Sequence, residues 1–374
     1  MGFTEPTQIQ GMSIPHIVSG KDVIGESATG SGKTLAFGCG IIEKVEQGKG
    51  LQALILTPTR ELAEQVKDSL NDFSKKKNLH IISVYGGVSI NPQIDNLRKS
   101  EVVVATPGRL LDHLGRGTID MSKIGVLVLD EADRMFDMGF IDDVKKIIKR
   151  CPKDRQTLFF SATISGRVRE LAEDFMDKRE IISAKKQVDP SKLKQVYYDV
   201  SRNLKLSLLV HLLKQDRSGL SMVFCNTRRT TEFVSRNLKS NNIDAVAIHG
   251  GLTQNKRIKT IKSFNKGNVN VLVCTDVAAR GLDIPDVSHI YNYDIPGDAK
   301  DYVHRIGRTA RAGEEGKAVN LLSESDHDNF SRVLQEFRSL NIKKVKKPYI
   351  KKIKPVVKSR RNHSSKRRRR HRYH

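Results

Sequence analysis

Ile124-Gly125-Val126-Leu127-Val128-Leu129-Asp130-Glu131-Ala132-Asp133 sets an apolar run of strand length directly against a cluster of carboxylates. A short continuous apolar run reads as a strand buried on both faces, the kind found in parallel sheets. Its carboxylates then emerge at the carboxyl edge, where open α/β sheets hold ligands. Upstream, Ser27-Ala28-Thr29-Gly30-Ser31-Gly32-Lys33-Thr34 follows another strand-like run and opens a helix. Together the two segments describe a nucleoside triphosphate site. Backbone N–H groups of Thr29, Gly30, Ser31 and Gly32 cradle phosphates, Lys33 neutralises the outer ones, and Thr34 and Asp130 position Mg²⁺. Glu131 suits the orientation of an attacking water, and Asp133 suits a tie between motifs or domains. Acidic residues complementing a helix dipole would explain the carboxylates but not their conjunction with Lys33. One position departs from G-x-x-x-x-G-K-[ST]: Ser27 stands where the pattern has its first glycine.

A chain of 374 residues suggests two globular units and a remainder, at a prior near one domain per ~150 residues. Of its 66 Lys and Arg, 16 fall in residues 343–374, which hold no Asp or Glu, so residues 1–342 carry 50 bases against 42 acids and a net charge of +8. Residues 343–374 are therefore expected to be a disordered basic tail that attracts polyanions such as nucleic acid. Cys39, Cys151, Cys225 and Cys274 lack C-x-x-C spacing, which suggests neither a zinc site nor a disulfide framework and fits a reducing cytosol. No apolar stretch approaches the ~20 residues of a membrane span, and no signal pattern opens the chain. The expectation is a cytoplasmic monomer with no membrane partner.

Short apolar runs alternate with helix-length amphipathic segments from residue 21 to 183: Leu51–Thr57, His80–Tyr85, Glu101–Ala105, Ile124–Leu129 and Gln156–Phe160, with helices near 33–46, 59–77, 89–98, 107–114, 140–149 and 165–176. A polar stretch at 184–194, containing Pro190, reads as a linker. The rhythm resumes with Val196–Val200, Ser221–Cys225, Ala245–His249, Val269–Cys274, Ser288–Asn292 and Ala318–Leu322. Two α/β domains, 1–183 and 195–342, each a mainly parallel sheet with helices on both faces, are predicted, with no close sequence repeat between them.

Further motifs appear in order. They are Gly2-Phe3-Thr4-Glu5-Pro6-Thr7-Gln8-Ile9-Gln10, Pro58-Thr59-Arg60-Glu61-Leu62-Ala63, Gly86-Gly87, Thr106-Pro107-Gly108-Arg109 and Ser161-Ala162-Thr163. The second half adds Val223-Phe224-Cys225-Asn226-Thr227, Gln254 with Arg257, the stretch Thr275 to Asp283, and the stretch His304 to Gly313. With Asp130-Glu131-Ala132-Asp133, this series resembles the DEAD-box RNA helicases of superfamily 2, over the whole body from residue 2 to 313. The resemblance implies two tandem RecA-like domains. It implies that Gln10 hydrogen-bonds adenine with Thr7 supporting that loop, and that Asp283 faces the ATP ribose. RNA contacts fall to Arg60, Gly87, Thr106, Arg109, Thr227, Arg257 and Thr275. Interdomain coupling falls to Asp133, Ser161, Thr163, Arg280 and His304, and Arg308 and Arg311 become arginine fingers. Two features differ from the family pattern: Ala310 replaces a common glycine, and an aromatic that stacks on adenine, farther upstream in the family, has no counterpart in this sequence.

The resemblance implies an ATP-dependent RNA helicase with ATP and Mg²⁺ as cofactors, acting on single-stranded RNA and short duplexes. An ATP-gated RNA clamp with slow turnover is the alternative, and a DNA translocase a weaker one. A tail-driven nucleic-acid binder would leave some 300 residues of ordered motifs unused.

Overall fold

Val102-Val103-Val104-Ala105 and Ala53-Leu54-Ile55-Leu56 are buried at every position, because helices cover both faces of the sheet they enter. In the second of these, Leu54 and Leu56 join one core cluster while Ala53 and Ile55 join the other, on the opposite face. The computed structural model describes residues 5–28, 30–184, 193–216, 219–279, 284, 287–309, 316–338 and 340–356.

β1 (Asp22–Glu26), β2 (Ala53–Leu56), β3 (Ile81–Val84), β4 (Val102–Ala105), β5 (Val126–Asp130), β6 (Gln156–Ser161) and β7 (Arg179–Ser183) form the first sheet, in the order β3-β4-β2-β5-β6-β1-β7. β8 (Leu193–Asp199), β9 (Ser221–Phe224), β10 (Ala245–Ile248), β11 (Val271–Cys274), β12 (His289–Asn292), β13 (Gly316–Leu322) and β14 (Ile342–Lys344) form the second, in the order β10-β11-β9-β12-β13-β8-β14. Every pairing is parallel. Numbered from its own first strand, the second sheet repeats the order of the first. The halves are therefore a structural repeat that a comparison of their residues does not reveal.

Several expectations change. Residues 343–356, assigned by composition to the tail, are ordered: Ile342, Lys343 and Lys344 pair with β8, and Val345, Ile350 and Ile353 pack on the core. Their apolar residues, spaced among lysines, supply anchors that charge counting overlooks. The linker narrows, since Ala184 N–H donates to the Glu26 carbonyl at 2.9 Å and Leu193 already belongs to β8. Residues 185–192 and 357–374 lie outside the described residues. The edge strands β7 and β14 carry Arg179, Glu180, Lys343 and Lys344, so they lack the apolar signature of the central strands. The helices Gln8–Val18 and Ala132–Asp137 were also not anticipated; the first contains Pro15 and the second is only six residues long.

Phe160 on β6 packs against Phe37, with ring centroids 5.5 Å apart, and fills the space beside Gly25, where an added Cβ would stand 2.6 Å from its ring. Phe160→Ala should lower the unfolding free energy of the first domain by ~3–5 kcal/mol, measured by denaturant melts.

Candidate active site

The loop after β1 is shaped by two left-handed glycines, Gly30 (φ 80°) and Gly32 (φ 90°), and Lys33 begins the helix Lys33–Lys44. Ser27 is absent from the positive-φ residues, so a side chain is tolerated at the first position of the loop, and its hydroxyl lies 2.7 Å from that of Ser31. Lys33 is buried, its ammonium donating to the carbonyls of Ser27 (2.7 Å) and Ala28 (3.3 Å). Gln10 grips this loop: its Nε2 donates to the Gly32 carbonyl (3.1 Å) while its Oε1 accepts from Thr7 N–H (3.0 Å). Thr7 Oγ1 adds a bond to the Ser31 carbonyl at 2.7 Å. A Cβ on Gly32 would collide with the Gln10 amide. Thus the glutamine that the resemblance assigns to adenine anchors the loop after β1 in this structure.

Two strands away, Asp130 ends β5 in register with Phe160 of β6, which in turn faces Gly25 of β1. That places Asp130 about 10 Å from the strand that feeds the loop, at the ~4.8 Å spacing of neighbouring strands. Burial pushes its carboxyl up to about 7, against the opposing pull of the Lys33 ammonium. Glu131 follows at φ 54°, ψ 51°, the left-handed region, which costs a non-glycine residue roughly 1–2 kcal/mol. Its N–H donates to Asp130 Oδ1 (3.0 Å), and its carboxylate accepts from Arg134 Nη1 (3.0 Å). Asp133 Oδ2 accepts from both the N–H and the hydroxyl of Thr163, each at 3.1 Å, while Asp133 N–H donates to Ser161 Oγ at 3.1 Å. Three hydrogen bonds therefore tie the carboxylate motif to the segment at the end of β6. Thr34 sits half-buried in the first turn of the Lys33–Lys44 helix.

A second set of groups recurs in both domains. Arg60, just after the N-cap Thr59, lies over Gly86-Gly87, and Gly87 (φ 84°) has no room for a Cβ beneath that guanidinium. In the second domain Arg228, just after the N-cap Thr227, lies over Gly250-Gly251; a Cβ on Gly250 would approach its Nη2 to 3.1 Å. Arg228, Gly250 and Gly251 escaped the sequence reading, although the repeated Thr-Arg and Gly-Gly pairs were a usable signal. Thr227 Oγ1 accepts from Thr230 N–H at 3.0 Å, the capping role of a helix start. Arg109 donates to Gln93 Oε1 (3.3 Å) and the Val88 carbonyl (3.1 Å); Thr106 and Thr275 are buried beside their helix starts.

Arg257, which the resemblance assigns to RNA, meets a protein carboxylate in this structure. Its Nε stands 2.6 Å from Glu61 Oε1, which also accepts from Gln254 Nε2 at 3.0 Å. This buried contact joins the Arg60–Phe73 helix to the Gln254–Asn265 helix, one from each domain, and Lys262 with Asp68 (3.0 Å) extends it. Arg305, to which the sequence reading gave no role, is the hub of the second domain. Its guanidinium forms a fork on Asp276 (2.6 and 2.7 Å), bonds Asn292 (3.1 Å) and Asn226 (3.0 Å), and lies over Phe224. Three residues on, Arg308 is buried, while His304 is exposed. Thr29, Arg280, Asp283, Ala310 and Arg311 lie outside the described residues.

The chain matches the family models "DEAD/DEAH box helicase" over residues 7–171 and "Helicase conserved C-terminal domain" over 204–313. The chain belongs to the DEAD/DEAH box helicase family. It is 46% identical over 339 residues to "ATP-dependent RNA helicase CshA" of Listeria monocytogenes, covering 90% of this chain but only 65% of that relative. Among solved structures it is similar to S. cerevisiae Dbp5 bound to RNA and ADP BeF3, at 31% identity over 92% of this chain and 91% of that one, with a TM-score of 0.81. A DEAD box protein from Methanococcus jannaschii is 40% identical over 92% and 94% of the two chains, yet its TM-score is 0.56. Both sheets are thus those of tandem RecA-like domains.

Within the family framework, the raised carboxyl of Asp130 has a direct thermodynamic sign. Its folded pKa exceeds the unfolded one, so folding favours the protonated form and stability is lost as pH rises from about 4 to about 7. Asp130→Asn should therefore raise the unfolding free energy near pH 8 by on the order of 2–4 kcal/mol, and the gain should vanish toward pH ~4. Urea melts of parent and variant across that range measure it; a difference independent of pH would place the cost elsewhere.

Proposed function

We propose that this chain is an ATP-dependent RNA helicase whose two domains close on ATP and a single RNA strand, so that a short duplex loses its partner. The observation that carries this reading is the strained Glu131, held in the left-handed region between buried Asp130 and Arg134 at the sheet edge that Lys33 shares. Backbone strain of this kind persists where the surroundings over-determine it, and it clusters at reacting sites. Lys33 turns from the loop carbonyls to the outer phosphates, and Glu131 orients the attacking water. Arg308 and Arg311, from the other domain, neutralise charge that spreads over the phosphoryl oxygens, so hydrolysis requires both halves docked.

Mg²⁺ is held by one or two carboxylates with phosphate oxygens and water, so the absence of a three-residue ion cage among the described residues is no obstacle. The hydroxyl of Thr34 and the carboxylate of Asp130 are hard oxygen donors that fit it, and the bound ion neutralises phosphate charge. Gln10 would reach adenine from its place on the loop, and Asp283 the ribose. Arg60, Gly87, Thr106 and Arg109 on one domain, and Thr227, Arg228 and Thr275 on the other, form the RNA track, with Arg257 bracing the closed state through Glu61. Asp133, bound to Ser161 and Thr163, transmits nucleotide state, with Arg280 and His304 across the cleft. Likeness to an RNA- and nucleotide-bound relative supports this arrangement. We assign the ATP-binding domain to residues 1–184 and the second to 193–356. Three of its four free cysteines are buried, which agrees with a cytoplasmic setting.

ATP turnover measured with single-stranded RNA, duplex RNA, DNA and no nucleic acid tests the reading; stimulation by RNA alone is expected. Glu131→Gln should bind nucleotide and RNA yet stall in a long-lived complex, and normal turnover would remove its role. Arg308→Ala should slow RNA-stimulated turnover by ~10³-fold, the scale of a lost arginine finger, while the parent affinity for nucleotide persists.

A further inference from the structure

Beyond β14 the chain continues without helix or strand across the helices that cover the second sheet. The path of this strap is defined by its bonds. Val345 N–H donates to the Tyr197 carbonyl (2.9 Å), Ile353 N–H to Ser207 Oγ (3.0 Å), and Val356 N–H to Asn237 Oδ1 (2.7 Å). Ser207 and Asn237 are buried, so strap backbone satisfies polar groups that would otherwise be orphaned. Val345, Ile350 and Ile353 add apolar anchors on the same core.

The opposite face is of another kind. Lys346, Lys351, Lys352 and Lys354 are exposed, and among the described residues no carboxylate pairs with the strap after Lys344, which meets Asp199 at 2.5 Å. Between the lysine pairs stands Tyr349, 97% exposed. A ring so placed gains nothing from burial in the fold, yet its backbone is fixed by the next residue's packing, so little freedom remains to be lost on binding. Flat aromatic faces flanked by cations are the elements of sequence-tolerant single-strand binding. Asn237, which Val356 meets, lies ten residues along the Arg228–Ser240 helix from its N-cap Thr227, about 15 Å at 1.5 Å per residue.

We propose that the strap is a second binding surface for single-stranded RNA, independent of nucleotide, in which a base stacks on Tyr349 while Lys346, Lys351 and Lys352 hold phosphates. It rests on the reading that RNA is the substrate, and extends it to a face outside the cleft. An acidic polypeptide would answer the lysines but has no use for the bare ring.

The chain contains no tryptophan, so Tyr349→Trp in the full chain places a single indole at the site. Titration with single-stranded homopolymeric RNA, nucleotide absent, should quench it to saturation, with a midpoint that weakens as salt rises. Tyr349→Ala should weaken nucleotide-free RNA binding about tenfold, the scale of one lost stacking contact, while Tyr349→Phe retains it. Turnover at saturating RNA should be unchanged in all three. An unquenched indole at RNA concentrations that stimulate turnover would overturn the strap proposal and leave the helicase reading intact. Quenching by polyglutamate but not by RNA would also overturn it, in favour of a protein partner. If the parent chain neither binds RNA nor responds to it, both readings fall.

Discussion

Because every strand of both sheets pairs in parallel, all fourteen leave their sheet at one edge, and the segments that follow them are gathered there whatever their order in the chain. Lys33 after β1, Asp130 and Glu131 after β5, and Ser161 at the end of β6 are far apart in sequence, yet adjacent through the order β5-β6-β1. Helices are obliged to cover both faces, so polar groups collect at the ends of the strands, and ligands in such sheets are held at the carboxyl end. Placement of the chemistry is thus a consequence of strand direction.

On that edge, rigidity comes from networks that satisfy charged groups completely. Arg305 spends its donors on Asp276, Asn292, Asn226 and the Asp294 carbonyl, binding the ends of β9, β11 and β12 into one body. Removing one partner from such a buried fork leaves a stranded charge, a cost of several kcal/mol rather than the ~1 kcal/mol of an exposed pair. Asp133 does the same between β5 and β6 in the first domain. Neighbouring residues can then be strained, as Glu131 is, because the frame around them does not yield.

Central strands and the turn after β1 were legible because their information is local: Val102–Ala105 and Val126–Leu129 announce burial by themselves, and Gly30, Gly32 and Lys33 announce a tight strand-to-helix turn by their spacing. What stayed hidden is non-local. β7 and β14 are edge strands whose polarity imitates a loop, and residues 345–356 are ordered by Ser207 and Asn237, more than a hundred residues upstream. Arg257 looks like any cation until Glu61 of the other domain is in view, and Gln10 shows its grip on Gly32 only when the Gln8–Val18 helix is folded against the loop. The twin arrangement of Arg60 and Arg228 was half legible, since one member of each pair was noticed and the correspondence between halves was not.

Each sheet is closed by its last strand lying beside its first: β7 pairs with β1, from Asp22 to Arg179, and β14 with β8, from Gln195 to Ile342. During vectorial synthesis neither domain can cover the outer edge of its opening strand until its final segment has emerged. β8 therefore waits, with unpaired amides along one side, while almost the whole of its domain is made. Lys343 and Lys344 within β14, and Lys346 just after it, bear on that interval: like charge disfavours pairing of the segment with copies of itself, so the strand that must find β8 is shielded from finding another chain first.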